Sequence, residues 1–74
     1  MITVDSEATG KNIKEAIAKS GKSVYDIAEE MFIDPDNLYR WCKGKRMPTL
    51  ENTAIIADLT GVTIDDLVVT RRVS

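Results

Sequence analysis

A chain of 74 residues makes one small domain, near the lower size limit for folding without a metal or a disulfide. The single cysteine, Cys42, excludes an internal disulfide, and the absence of histidine leaves no plausible set of zinc ligands. Without histidine, general acid–base and nucleophilic catalysis lack their commonest base. We therefore expect a single domain over residues 1–74 that is not an enzyme and that holds no cofactor or metal.

The N-terminal segment differs from a signal peptide, because Asp5 and Glu7 lie where an export signal is basic. No stretch of the sequence has the apolar length of a membrane span, and one unpaired cysteine suits a reducing compartment. We expect a cytoplasmic protein without membrane contact. A domain this small has little room for a pocket, so we expect no small-molecule ligand.

The chain opens with a β-prone triplet, Ile2–Val4, which a polar segment follows. Thr9 is a suitable N-cap for a first helix that runs through Lys19. Its apolar stripe consists of Ile13, Ala16 and Ile17. Ser20 and Gly21 end the helix, since glycine tolerates the left-handed backbone found at helix ends.

Residues 23–43 predict two short helices with a tight turn between them. Ser23 and Asp34 are suitable N-caps for the two helices, and Pro35 fits the first position of the second. The apolar positions are Ile27, Ala28 and Met31 in the first helix and Leu38 and Trp41 in the second. Gly44 closes the unit. Two helices held this closely, with polar residues facing outward, form a helix-turn-helix.

Two more helices are predicted after a loop at Pro48. Thr49 caps a fourth helix that Gly61 ends, and Thr63 caps a short fifth helix over residues 64–68. The inward residues of the fourth helix are Leu50, Ala54, Ile55 or Ile56, and Leu59.

The two ends of the chain carry the β-prone runs, Ile2–Val4 and residues 68–73. Because termini of small domains are often neighbours, we expect the runs to pair as an antiparallel ribbon, within one chain or between two. The alternative is a pair of flexible tails. The predicted fold is thus all-α, five helices with a possible terminal ribbon. Its predicted core is Ile13, Ile17, Ile27, Ala28, Ile33, Leu38, Trp41, Ile56 and Leu67.

The net charge of −2 argues mildly against a nucleic-acid partner, but the charges are segregated along the chain. Residues 23–36 carry −5, whereas residues 37–50 carry +4 and contain no acid. The four basic residues are Arg40, Lys43, Lys45 and Arg46. Since salt screens charges over about 8 Å, a phosphate responds to this local patch more than to the global sum.

The ordered series of these residues resembles the helix-turn-helix regulators of the lambda repressor and Cro class, often called the Xre family. The resemblance runs from about Gly10 to Val68. The matching residues are Ser23, Ile27, Ala28, Ile33, Leu38, Trp41, Gly44 to Arg46, Pro48 to Asn52, Ala57, Gly61 to Thr63, Asp66 and Leu67. The resemblance implies a small all-α domain, with a core at 9–68, that binds operator DNA, usually as a dimer.

Two residues depart from the family pattern. The family favours glycine where Phe32 ends the first motif helix. Phe32 therefore either adopts a left-handed backbone, which costs about 1 kcal/mol unless burial of the ring offsets it, or the turn differs. The family also favours a phosphate-binding glutamine where this chain has Val24, which can offer only its backbone N–H.

The resemblance places the DNA-reading residues on the outer face of the helix at 35–43. Arg40 has the planar fork that reads guanine, and Asn37 can read adenine or hold a phosphate. The complete set of candidates is Val24, Tyr25, Asp36, Asn37, Tyr39, Arg40, Lys43, Lys45 and Arg46. Asp36 repels phosphate unless it accepts from cytosine or orients Arg40. The plainer alternative is that Asp36 and Arg40 only pair on a solvated helix face.

Two functions remain open. The first is a sequence-specific DNA-binding transcriptional regulator, a repressor that binds a double-stranded operator as a homodimer and reads its major groove. The second is a protein-interaction module, antitoxin-like or anti-repressor-like, with weak or no DNA binding. The continuous basic run favours the first function, and the negative net charge, Val24 and Asp36 favour the second. We expect Trp41 to pack in the core rather than to stack on a base, and Cys42 to be an inert thiol.

Overall fold

The computed structural model describes residues 1–73, which form five helices and a two-stranded ribbon. The helices are α1 (Ser6–Lys19), α2 (Val24–Met31), α3 (Pro35–Cys42), α4 (Leu50–Thr60) and α5 (Ile64–Leu67). The strands are β1 (Ile2–Val4) and β2 (Thr70–Arg72). The predicted five-helix fold is confirmed. None of these helices combines the length and the apolar composition that crossing a membrane requires.

The ribbon joins the two ends of one chain. β1 and β2 are antiparallel, with Ile2 opposite Arg72, Thr3 opposite Arg71 and Val4 opposite Thr70. The predicted pairing of the termini is thus confirmed in its intrachain form. As a two-stranded ribbon is marginal alone, its contacts with the helices matter for its stability.

The start of α1 differs from the prediction and provides one of those contacts. Asp5, directly after β1, caps the helix and accepts a hydrogen bond from the Ala8 N–H at 3.0 Å. Thr9, predicted as the cap, lies inside the helix and is fully buried. Its hydroxyl oxygen accepts from the Val69 N–H at 3.0 Å, which ties α1 to the segment that leads into β2. The prediction was wrong because the ribbon brings an earlier capping residue into place.

One core joins all five helices. Its buried apolar residues are Ile13, Ala16, Ile17, Ile27, Ala28, Leu38, Trp41, Cys42, Ile56, Ala57 and Leu67. Every residue of the predicted core is among them except Ile33, which is half-buried and packs against the cluster. The prediction that Leu50 points inward was wrong: it is the first residue of α4 and is 76% exposed. Of the two isoleucines left open, Ile56 is the fully buried one.

The predicted caps of the other helices hold those helices in register. Ser23, Asp34, Thr49 and Thr63 are the N-caps of α2 to α5, and each side chain accepts from a backbone N–H of the first turn. At α2 and α5 the cap is reciprocal, because Asp26 and Asp66 accept in return from the backbone of the capping residue. The pKa of both carboxyl groups is lowered, chiefly by the hydrogen bond from the backbone N–H of the capping residue and secondly by the hydroxyl of that residue.

Candidate nucleic-acid interface

The turn between α2 and α3 sets how α3 is presented. Phe32 ends α2 with a left-handed backbone, φ 57° and ψ 39°. Its N–H donates to the Glu29 carbonyl at 3.1 Å, and the Ile33 N–H donates to the Ala28 carbonyl at 3.0 Å. Of the two alternatives that the sequence left open, the left-handed backbone is therefore correct. The ring is 95% exposed, so its burial does not offset the conformational cost.

The core fixes which side of α3 faces solvent. Leu38 and Trp41 are buried, with Trp41 9% exposed, and they hold the inner side of the helix against the core. The predicted core role of Trp41 is confirmed. The exposed residues on the remaining side are Asp36, Asn37, Tyr39, Arg40 and Lys43. Five of the nine candidate residues thus share one solvent-facing surface of one helix.

Arg40 is oriented by a neighbour on this surface. Its Nη1 donates to Oδ1 of Asn37 at 3.1 Å. Among residues 1–73, the ion pairs join Lys19 to Glu15 and Lys22 to Glu30, so the pairing of Arg40 with Asp36, which was the alternative to DNA reading, does not form. One N–H of the guanidinium is used by Asn37, and the other edge of the planar fork is left for an outside acceptor.

A shallow depression collects the charged groups of this surface. Its lining residues are Asp36, Tyr39, Arg40, Lys43 and Lys45. Asp36 lies at the N-terminal end of α3, and the basic residues lie at or beyond its C-terminal end, so both signs complement the helix dipole. The presence of the Asp36 carboxylate on this surface is therefore explained by the helix dipole, independently of DNA.

The basic loop after α3 rests on the first turn of α1. Gly44 has φ +74°, and a Cβ at this position would lie 2.6 Å from the Cα of Glu7. The Lys45 N–H donates to the Arg40 carbonyl at 3.0 Å, so the loop folds back on the end of α3. Lys45 and Arg46 follow as exposed residues. Sequence analysis identified Gly44 only as a helix end, because nothing local in the sequence indicates the contact with Glu7.

A second close approach fixes α3 on α1. A Cβ at Gly10 would lie 2.4 Å from the carbonyl oxygen of Trp41 and 2.6 Å from that of Cys42. Only glycine lets the two backbones approach this closely. The last turn of α3 and the basic loop are therefore both positioned by the N-terminal half of α1, through Gly10 and Glu7.

The start of α2 borders the outer face of α3. The ring centroids of Tyr25 and Tyr39 are 6.2 Å apart with an interplanar angle of 77°, an edge-to-face contact between the two helices. Partial removal of the Tyr39 ring from water raises the pKa of its phenol, and the neighbouring Tyr25 adds to the rise. A phenol is already protonated at neutral pH, so the Tyr39 hydroxyl can donate. Val24 is half-buried and packs against the core, so its side chain is not presented to a ligand.

The backbone at this end of α2 keeps two donors available. The capping bonds use the N–H groups of Ser23 and Asp26, and the Ile27 N–H donates to the Ser23 carbonyl. Among the described residues, no hydrogen bond uses the N–H groups of Val24 or Tyr25. They lie at the positive end of the helix, where an anion is stabilised.

A family model described as helix-turn-helix matches residues 13–67, which is most of the chain. This protein belongs to the helix-turn-helix family. The finding agrees with the resemblance to the lambda repressor and Cro class and makes the protein a member of a family of DNA-binding transcriptional regulators. No curated protein sequence matches this helix-turn-helix protein.

The fold of this helix-turn-helix protein is similar to that of the clp gene regulator ClgR from C. glutamicum, as seen in its crystal structure. The two superimpose with a TM-score of 0.78 at 22% sequence identity, over 88% of this chain and 84% of the other. At this identity the comparison establishes the shared fold. In a helix-turn-helix the second helix of the motif enters the major groove. In this protein the motif consists of α2 and α3, so that helix is α3.

The candidate residues thus fall into two groups on neighbouring elements. α3 and the loop that follows it carry Asp36, Asn37, Tyr39, Arg40, Lys43, Lys45 and Arg46, and the start of α2 carries Val24 and Tyr25. The contact between Tyr25 and Tyr39 joins the groups. Cys42 of this helix-turn-helix protein is buried in the core, and burial raises the pKa of its thiol, a direction that disfavours the reactive thiolate.

Proposed function

We propose that this protein is a transcriptional repressor that binds a double-stranded operator by placing the outer face of α3 in the major groove. One observation carries the proposal: of the segments that contain no acid, residues 37–50 hold the most basic residues, and this segment supplies the outer face of α3 and its adjoining loop. The protein acts by binding rather than by catalysis.

Base recognition is assigned to Arg40 and Asn37. The guanidinium of Arg40 matches the O6 and N7 acceptors of guanine, and the amide of Asn37 matches the acceptor and donor of adenine. The hydrogen bond between them, 3.1 Å long, means that they approach neighbouring bases as one unit. Asp36 adds an acceptor that suits the amino group of cytosine.

Phosphate contacts are assigned to the two sides of that surface. On one side, Lys43, Lys45 and Arg46 supply positive charge, which gives affinity without sequence information. On the other side, the free N–H groups at the start of α2 and the protonated hydroxyl of Tyr39 are donors. Val24 contributes its backbone rather than its side chain. Phosphate contacts on both sides would hold α3 in one orientation in the groove.

The operator-bound form is proposed to be a homodimer. A helix-turn-helix dimer contacts two half-sites one helical turn apart, and each domain reads only a few base pairs. A second copy would therefore extend the recognised site to a useful length.

The second candidate function is a protein-interaction module with weak DNA affinity. It is favoured by the mainly acidic surface of α2, where Phe32 is 95% exposed beside Asp26, Glu29 and the Glu30–Lys22 ion pair. An exposed aromatic ring on a mainly acidic surface is typical of a contact with a protein and unsuited to DNA.

A titration with random-sequence duplex separates the two functions. A DNA-binding regulator should bind non-specifically at about 50 mM salt and lose affinity steeply by about 200 mM. The variant Lys45→Ala should reduce the salt slope by about one. Lys19→Ala is the matched control, since Lys19 pairs with Glu15 beside α5 and should leave the slope unchanged. If the wild type binds no duplex at low salt, the interaction module is the better account.

A further inference from the structure

The hydrogen bonds of the ribbon determine which backbone groups of β1 are unused. The Asp5 N–H donates to the Val69 carbonyl at 2.8 Å, and the Val73 N–H donates to the Met1 carbonyl at 2.9 Å. Residues 1 and 5 therefore direct their backbone groups toward β2. In an antiparallel pair this direction alternates from residue to residue, so residue 3 also faces β2.

Ile2 and Val4 consequently point their N–H and C=O groups away from β2. The sheet has two strands in the described part of the chain, so this edge has no neighbour. The side chains at the same edge are apolar: Ile2 is 58% exposed and Val4 37% exposed. A three-residue edge of uncharged, largely β-branched residues is a template for another strand.

The opposite edge, on β2, is protected against such pairing. Its sequence is Thr70, Arg71 and Arg72, all exposed. Two copies of β2 placed side by side would bring four arginines together, and like charges on adjacent strands are destabilising. The ribbon thus has one edge that accepts a second copy and one that repels it.

We propose that two copies of the chain associate through β1 and form a four-stranded antiparallel sheet with a two-fold axis at Thr3. In this register Ile2 lies opposite the partner's Val4, and Val4 lies opposite the partner's Ile2. Both pairs use the outward backbone groups, which makes four interchain hydrogen bonds, while Thr3 faces its own copy in the intervening pair. The arrangement is isologous, as a closed dimer requires.

The position of β1 permits two-half-site binding, a use that rests on the proposed function. The contact between Gly44 and Glu7 puts their Cα atoms about 4 Å apart. Thr3 precedes Glu7 by four residues, so it is at most about 14 Å from Glu7. With strands about 5 Å apart, the two copies of Gly44 are separated by no more than about 41 Å. The half-site spacing of about 34 Å lies within that limit.

The interface is small, and this sets the strength of the dimer. A contact between two three-residue strands lies below the roughly 1,200 Å² that stable complexes bury. The dimer therefore forms at high protein concentration in solution, and adjacent half-sites favour it by holding two copies together.

Amide hydrogen exchange over a concentration series tests the interface without DNA. The N–H groups of Thr3 and Asp5 should be protected at every concentration, because they bond within the chain. Those of Ile2 and Val4 should exchange fast in dilute protein and become protected toward millimolar protein. If Ile2 and Val4 exchange fast at all concentrations, the inference is overturned. Protection that instead develops at Thr70 and Arg72 also overturns it.

A matched pair of proline variants tests the same point by sedimentation. Ile2→Pro removes an outward donor of β1 from each copy, and Arg72→Pro removes the outward donor of β2 directly opposite it. Ile2→Pro should weaken dimerisation about tenfold or more, and Arg72→Pro should leave it unchanged, with equal melting temperatures confirming that both variants are folded. Equal effects on dimerisation would contradict the inference. A protein that dimerises in this way but binds no duplex would instead refute the proposed function alone.

Discussion

Phe32 has an unfavourable backbone conformation that glycine would relieve. A left-handed backbone costs a non-glycine residue about 1–2 kcal/mol. The ring is 95% exposed, so replacing it removes almost no buried apolar surface. Against this gain, glycine lowers the free energy of unfolding by about 0.5–1 kcal/mol, because it increases the entropy of the unfolded chain. We therefore expect Phe32→Gly to increase the free energy of unfolding by about 0.5–1 kcal/mol.

Thermal and urea unfolding followed by circular dichroism measure this gain. A domain of this size should melt about 2–8 °C higher as Phe32→Gly. Phe32→Ala is the control, because it removes the ring but keeps a Cβ at φ 57°, and its stability should match the wild type. A less stable Phe32→Gly variant would refute the reasoning. An equal gain in Phe32→Ala would show that the ring, rather than the backbone, is responsible.

Three further predictions concern stability. Trp41→Ala should lower the free energy of unfolding by about 3–5 kcal/mol, because it empties a buried site in the core, and should leave the domain largely unfolded in circular dichroism. The Cβ of Gly61→Ala would meet open space, so this variant should lower the free energy of unfolding by about 1 kcal/mol through its backbone conformation alone. Gly44→Ala should lower the free energy of unfolding further, because its Cβ would also meet Glu7. Stability should fall as the pH drops from about 5 to 2, because the capping carboxylate of Asp26 has a lowered pKa in the folded state.

The direction of the pH effect follows from the linkage of protonation to folding. A carboxyl group with a lowered folded-state pKa stabilises the protein above its unfolded pKa, and that contribution disappears as the pH falls through the folded pKa. Asp26→Asn should therefore flatten the acid limb of the stability curve in urea titrations. An unchanged acid limb would contradict the role of Asp26 as a capping carboxylate. A cooperative, folded Trp41→Ala variant would contradict the core position of Trp41. Equal melting temperatures for Gly44→Ala and Gly61→Ala would contradict the close contact of Gly44 with Glu7.

The parts of the fold that sequence predicts well are governed by local chemistry. Ser23 and Thr63 cap helices because a hydroxyl oxygen can satisfy a backbone N–H three residues later, wherever the helix packs. The helical spacing of Leu38 and Trp41 likewise fixes the inner side of α3, and with it the outer side that holds the candidate site.

The parts that sequence did not predict depend on contacts between distant segments. Asp5 and Thr9 are equally good caps locally, and the ribbon selects Asp5 by bonding Val69 to Thr9. The support of the basic loop by Glu7 is likewise invisible in the sequence around Gly44. The sequence around Phe32 allowed a left-handed backbone or a different turn, and the structure shows the left-handed backbone. The assignment of individual residues to bases or phosphates stays a prediction.

The measurement that tests the proposed function most directly is the base preference of wild-type protein and Arg40→Ala. Sites are selected from a pool of random duplexes, and affinities are compared for each single-base change. Arg40→Ala should lose about 1–3 kcal/mol of binding free energy and should discriminate less between bases at one position of each half-site. Lys45→Ala should instead weaken binding to all sequences alike. If Arg40→Ala keeps every base preference of the wild type, α3 does not read the operator through this residue and the account is contradicted.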